Sequence, residues 1–187
     1  MRKTLTFFTL SLCIALLLFP AQKSEASFDR SHIIVSKERS GWFANMHGGS
    51  VSSSVADFTS NWSSTNNSRF ILKTMWVSIN GNGQDWIENG YFEGADINSN
   101  YHDGFYMAYG ITNGSTLTYS ERKVYGPSTT IGTNHTHEIK YLGDSTTYWR
   151  STIDSSYSWD VYGWAGDGTV DVGIESNNSS STINHTS

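Results

Sequence analysis

The chain has 187 residues, a formal net charge of −5, only 12 Lys plus Arg, and one cysteine. So acidic a chain is a poor partner for nucleic acid or an anionic membrane surface, and Cys13 alone closes no internal disulfide. Seventeen Gly against two Pro, with Ser, Thr and Asn spread among 7 Trp, 10 Tyr and 9 Phe and no long apolar stretch of period 3.6, exclude a helical bundle and indicate an all-β domain.

Arg2 and Lys3 precede an almost unbroken apolar run from Phe7 to Phe19, which Pro20 ends and Ser24-Glu25-Ala26 follows. The run is too short for a membrane span, and the pattern predicts a signal peptide over residues 1–26 with the mature chain starting near Ser27. Its removal takes away Arg2, Lys3, Lys23 and Glu25, moving the net charge from −5 to −7, and takes Cys13 with it. An exported protein without disulfides points to secretion from a Gram-positive bacterium. Residues 27–176 are expected to form one β-sandwich domain, large enough for a real core, and 177–187 a polar flexible tail.

His32 to Ser36 is a candidate first strand, and Trp42-Phe43 a candidate anchor against the core. Ser50 to Ser68 is rich in Ser, Thr and Asn and is expected to wrap a sheet edge. Strand signals then recur at Arg69–Ile79, Trp86–Phe92, Gly104–Gly110, Ser115–Val124, His135–Leu142, Tyr148–Ile153, Trp159–Trp164 and Thr169–Glu175. Asn80-Gly81-Asn82-Gly83 and Gly166-Asp167-Gly168 read as turns between them. Short strands spaced by turns predict an antiparallel sandwich or jelly roll.

Successive side chains of a strand point to opposite faces. In the last long strand Val170, Val172 and Ile174 take the core side, which puts Asp171, Gly173 and Glu175 on the other. In the Trp86 strand Ile87 takes the core side, and Trp86, Glu88 and Gly90 the other. Glu88 and Glu175 are therefore both predicted on an outer sheet face, beside glycines. Parity alone is equally satisfied by two solvated carboxylates.

Trp76-Val-Ser-Ile-Asn-Gly, followed by Ile87-Glu-Asn-Gly, resembles the segment of eqolisin-type glutamic peptidases in which a Trp-Val-x-Ile-x-Gly strand precedes an apolar-Gln-x-Gly strand. Ile87-Glu88-Asn89-Gly90-Tyr91 also resembles the Ile-Glu-Ala-Gly-Trp segment of neprosin-type glutamic peptidases. The resemblance implies a lectin-like β-sandwich, a catalytic Glu88, and a second catalytic glutamate on a late strand, for which Gly173-Ile174-Glu175 is the match. It further implies peptide-bond hydrolysis at acidic pH, with one carboxyl of the pair keeping its proton while the other activates water. Trp76, Trp86, Tyr106 and Trp149 are the candidate lining of a substrate groove. Glu88 stands where the eqolisin pattern has Gln, and the cysteines of plant neprosins are missing.

Paired carboxylates on a sandwich also suit a glycosidase. Exposed aromatic rings suit a non-catalytic module that binds a glycan or a cell-surface partner by stacking. His135 and His137 share a strand face, but the spacing supplies no third ligand, and no metal or other cofactor is assigned. Asp167-Gly168 with Asp171 reads as a short turn rather than a calcium loop, and Asn-x-Ser/Thr triplets such as Asn61-Trp-Ser arise by chance in so polar a chain. The expected partner is a polypeptide substrate or a surface glycan, with no nucleic acid and no membrane after signal cleavage, and the protein is expected to be a monomer.

Overall fold

The computed structural model describes residues 29–37, 47–81, 84–143, 145–165, 169–177 and 182–185. The signal peptide, the Trp42-Phe43 anchor and the Gly166–Gly168 turn lie outside them. Among the described residues every regular element is a strand: β1 Asp29–Lys37, β2 Gly48–Ser54, β3 Asp57–Thr59, β4 Phe70–Ile79, β5 Asp85–Ala95, β6 Tyr101–Asn113, β7 Thr116–Val124, β8 Asn134–Tyr141, β9 Tyr148–Ile153, β10 Tyr157–Tyr162, β11 Thr169–Ser176 and β12 Thr182–His185. One antiparallel sheet runs β1-β11-β4-β5-β6-β7 and a second runs β10-β9-β8-β2. A short β12-β3 ladder stands beside them. The fold is the expected antiparallel β-sandwich.

The pattern of side chains explains the layering. Met75, Val77, Ile79, Ile87, Tyr91, Phe105, Met107 and Val170 point from the larger sheet, and Ile139, Tyr141, Trp149, Ile153 and Val161 from the smaller, into a common interior. Burying each such side chain contributes roughly 1.5–3 kcal/mol. Val170 and Ile87 take the core side as their parity requires.

One polar network crosses this apolar interior. The Asn89 amide donates to Ser151 Oγ at 2.9 Å, to the Thr152 carbonyl at 3.1 Å and to the Glu138 carbonyl at 3.2 Å, while its Oδ1 meets His137 Nδ1 at 3.1 Å. A buried amide is tolerable only when satisfied in this way. Its effect is to bolt β5 to β8 and β9 on the opposite sheet.

The hairpin between β4 and β5 is fastened as well. Asn80 and Gly81 both take left-handed backbone (φ 62° and 63°), which these residues adopt readily. Asn80 then donates to Asp85 Oδ2 at 2.7 Å and accepts from the Trp164 N–H at 2.6 Å.

Two expectations need correction. The Ser-rich segment at the sheet edge is itself a strand: β2 pairs with β8 from Gly48↔Lys140 to Ser54↔Asn134. The C-terminal stretch is not all tail, because Thr182–His185 pairs antiparallel with β3.

Candidate active site

The register places the residues of the β5 motif on one grid. On the face turned away from the sandwich interior, Asp171 of β11, Trp76 of β4, Glu88 of β5, Ala108 of β6 and Glu121 of β7 form a single cross-strand row. Glu175 lies on the same face, paired with Leu72, which pairs with Phe92. Thr74 and Gly90 fall between these two rows together with Tyr106. The sequence-derived parity of Glu88 and Glu175 thus agrees with the register.

Their environment differs from the expected solvated face. Leu72, Trp76, Phe92, Tyr106 and Ala108 form a second apolar cluster here, joined by Phe70 and Trp86. Glu88 is only 5% exposed and Tyr106 1%, while Glu175 and Asp171 are partly buried. Glu88 is therefore a buried carboxyl set among aromatic rings.

Two glycines shape the floor. A Cβ on Gly90 would stand 2.1 Å from the Lys73 carbonyl oxygen, so β4 and β5 approach closely only because the position is Gly. A Cβ on Gly110 would stand 2.7 Å from Trp86 Cε2; the indole lies across this glycine and meets the Tyr119 ring at 5.8 Å between centroids.

Glu175 and Glu88 are two strands and four residues apart, which in a flat sheet puts their Cα atoms about 16 Å apart. Burial, and after it the Glu88 charge, push the Tyr106 phenol well above its ordinary pKa, and Glu175 adds to the same effect. Tyr119 is raised by burial, then Glu88 and Glu121, and again by Glu175. Glu88 and Glu175 thus share one face of the larger sheet, two strands apart, with Thr74 and Gly90 on the diagonal between their rows.

Glu121 accepts from the Tyr119 hydroxyl at 2.9 Å, and burial raises its pKa. Neither it nor Tyr119 stood out in the sequence, since both belong to the site only through the β6–β7 register. Asp171 was placed on this face by parity, but its position in Glu88's own row is visible only once β11 is paired with β4.

Of the proposed groove residues, Trp76, Trp86 and Tyr106 lie on the Glu88 face. Trp149 does not. It is 0% exposed, sits in the inter-sheet core against Tyr141, and donates from Nε1 to the Trp164 carbonyl at 2.9 Å. Residue 149 is on an inward-facing position of the other sheet, so it cannot line a groove beside Glu88.

His135 and His137 both point inward. His135 is held at Nδ1 by Asp154 at 2.6 Å and at Nε2 by the Ser128 carbonyl at 2.8 Å, and His137 contacts Asn89. These contacts make them structural pins of β8.

No family model matches the chain, and no curated protein sequence matches it significantly.

Proposed function

We propose that the protein is a secreted glutamic-peptidase-like hydrolase that cleaves peptide bonds at acidic pH through Glu88 and Glu175. The observation that supports this reading is that both carboxylates lie on one face of the larger sheet, Glu88 buried in the row of Trp76 and beside the cluster of Phe92 and Tyr106. The motif around Glu88 supplies the direction: it resembles the strand that carries the first catalytic residue of glutamic peptidases.

In this reading one carboxylate takes a proton from water as its oxygen bonds to the scissile carbonyl carbon. The protonated partner then gives its proton to the amide nitrogen as the C–N bond breaks, and the pair exchange protonation states between turnovers. Two carboxyls that act on one water would not both ionise cheaply, which would give such a pair an acid-side working range. The Trp86–Tyr119 contact forms an aromatic wall at one end of the diagonal, suited to the side chains of an extended polypeptide.

The test is hydrolysis of a denatured protein substrate between pH 3 and 5 by wild type, Glu88→Gln and Glu175→Gln. The reading expects loss of activity in both variants with unchanged unfolding midpoints. Equal turnover by all three discards it.

A second reading is favoured by a different surface. Tyr148, Tyr162 and Trp164 are 42%, 56% and 52% exposed, stand edge to face in series, and adjoin the Arg150–Asp160 ion pair. Such a strip suits stacking on pyranose rings, with the ion pair bonding hydroxyls. Retention on insoluble polysaccharide that vanishes in Tyr162→Ala and Trp164→Ala supports glycan binding there; retention unchanged by both removes it.

A further inference from the structure

His135 makes two contacts that a neutral ring cannot satisfy together. The residue is 5% exposed, and its ring packs edge-on against Phe105 with centroids 4.7 Å apart. Nδ1 stands 2.6 Å from Asp154 Oδ2, and Nε2 stands 2.8 Å from the Ser128 carbonyl oxygen. Burial opposes ionisation of Asp154, but the hydrogen bonds from His135 and Thr136 outweigh it and hold the carboxyl below its ordinary pKa. Both oxygens are therefore acceptors. A neutral imidazole has one N–H and one lone pair, so only the imidazolium donates to both.

The two bonds reach different parts of the fold. Asp154 lies in the β9–β10 turn, which is tied to β8 without His135 as well. Its Oδ1 accepts from the Thr136 N–H at 2.9 Å, and its own N–H donates to the Thr136 carbonyl at 2.8 Å. Ser128 lies in the connection that carries the chain from β7 of the larger sheet to β8 of the smaller. Gly132 and Thr133 of that connection are bonded to Val55, whereas the Thr130 N–H turns back to Ser128 Oγ. Among the described residues, the Ser128 carbonyl makes the one hydrogen bond from residues 126–131 to the rest of the fold.

We propose that His135 is a proton-operated latch on this connection: its imidazolium holds the Ser128 carbonyl, and loss of the Nε2 proton to water releases residues 126–131. Asp154 keeps the proton on Nδ1, because its bond is the shorter one and joins two charges. Nε2 then turns a lone pair on the Ser128 carbonyl, and two acceptors at that distance repel. Asp154 is the anion facing the ring, and Phe105 of β6 covers it without charge. His137, on the same face of β8, is the other titratable neighbour; burial, and after it the His135 charge, lower its pKa to about 4, and Lys73 of β4 acts on it in the same sense. The connection is thus closed in acid and opens as the pH rises, since the bond exists only while the ring is charged. The latch is independent of any hydrolytic role of Glu88.

Ring 15N spectra and backbone order parameters of wild type, recorded from about pH 5 to pH 9 across the range where histidines change charge, test this. His135 is expected to show both ring nitrogens protonated at the acid end and Nδ1 alone protonated at the alkaline end. Order parameters for residues 128–131 are expected to fall below about 0.6 over the same titration, while Thr136 and Asp154 stay rigid. Cleavage within 126–131 by a broad-specificity protease, scaled to an unfolded peptide at each pH, is expected to quicken about tenfold or more, the scale of losing one hydrogen bond to a charged group. His135→Gln should show the open behaviour at every pH, and Ser128→Ala, which keeps the carbonyl, should follow wild type. The wild-type titration stands by itself if His135→Gln fails to fold. A bare ring nitrogen at the acid end overturns the proposal, as does a ring that keeps both protons to the alkaline end. So does an Nε2–H tautomer in the neutral form, or a connection whose order does not follow the ring's titration.

Discussion

Glu88 and Asp171 occupy one cross-strand row with Trp76 between them, whereas Glu175 stands four residues further along β11. By strand spacing alone Asp171 is the nearer carboxyl, with its Cα about 10 Å from that of Glu88. The proposed function assigns the role to Glu175 instead, on its Gly173-Ile174-Glu175 pattern. Asp171→Asn is therefore expected to keep hydrolysis within about tenfold of wild type, while Glu175→Gln removes it. Kinetics on the two purified variants decide between the acids. The reverse order would move the catalytic pair onto the Glu88 row and show that the diagonal is not the productive one.

Asn89 follows Glu88 and points the other way, into the sandwich. Its amide holds Ser151 and two carbonyls of the opposite sheet, so Asn89→Ala leaves those buried groups short of a partner and opens a void. The expected loss is about 3 kcal/mol of unfolding free energy, the scale of breaking a buried network. Denaturant unfolding at neutral pH measures it. Activity should fall as well, because the same bolt fixes the backbone that presents Glu88 on the other face. A loss below about 1 kcal/mol would mean that the network is dispensable and that β5 is positioned by apolar packing alone.

How much of this was legible depends on which residues carried the signal. The strands from β4 to β11 could be read to within a few residues because their apolar positions alternate or run together between Gly and Asn turns. β2 could not: Gly-Gly-Ser-Val-Ser-Ser-Ser has loop composition, and pairing with β8 imposes its extended state. Parity sided Glu88 and Glu175 correctly because alternation is a local property. It could not show that Glu88 is buried, which depends on Trp76, Phe92 and Tyr106 meeting from three strands. One clue was present. β4 is apolar at both parities from Ile71 to Val77, with Thr74 and Lys73 the exceptions, as in a strand covered on both faces. Tyr119 and Glu121 had no such clue, since register across β6 and β7 is not written in either strand. Trp149 misled for the opposite reason: aromatic character does not say which sheet a strand joins.

Gly110 is predicted to control the aromatic wall. Its backbone needs no left-handed conformation, so Gly110→Ala acts purely through space, driving a methyl into the Trp86 ring. The indole must leave its seat over β6 and its contact with Tyr119. Overpacking of this kind costs about 1–3 kcal/mol. The Trp86 indole N–H resonance, assigned by its loss in Trp86→Phe, is expected to shift strongly in Gly110→Ala, and KM for extended peptides to rise. A resonance that stays in place would show that the ring accommodates the methyl without moving.

His137 sets a limit on the acid range in which the fold can work. Burial, and after it the neighbouring charge of His135, lower its pKa from 6.5 to about 4. The groups facing it are Asn89 from β5, with Asp154 pulling the pKa up and His135 and Lys73 pushing it down. The folded state holds His137 neutral where the unfolded chain would protonate it, so the unfolded state binds more protons between these two values. Stability from this residue is complete above about pH 6.5, declines as the pH falls through that value, and levels out near pH 4. The drop amounts to about 3 kcal/mol at most. Unfolding free energies at pH 7, 5.5 and 4 should show it in wild type, and His137→Gln should flatten the same interval by a comparable amount. A variant whose pH profile runs parallel to wild type would mean that His137 takes its proton without strain. The expected result places the fold's loss of stability in the same pH interval where the carboxyl pair would become active. The acid side of the rate profile would then fall with the unfolding transition, and His137→Gln would move that side to lower pH.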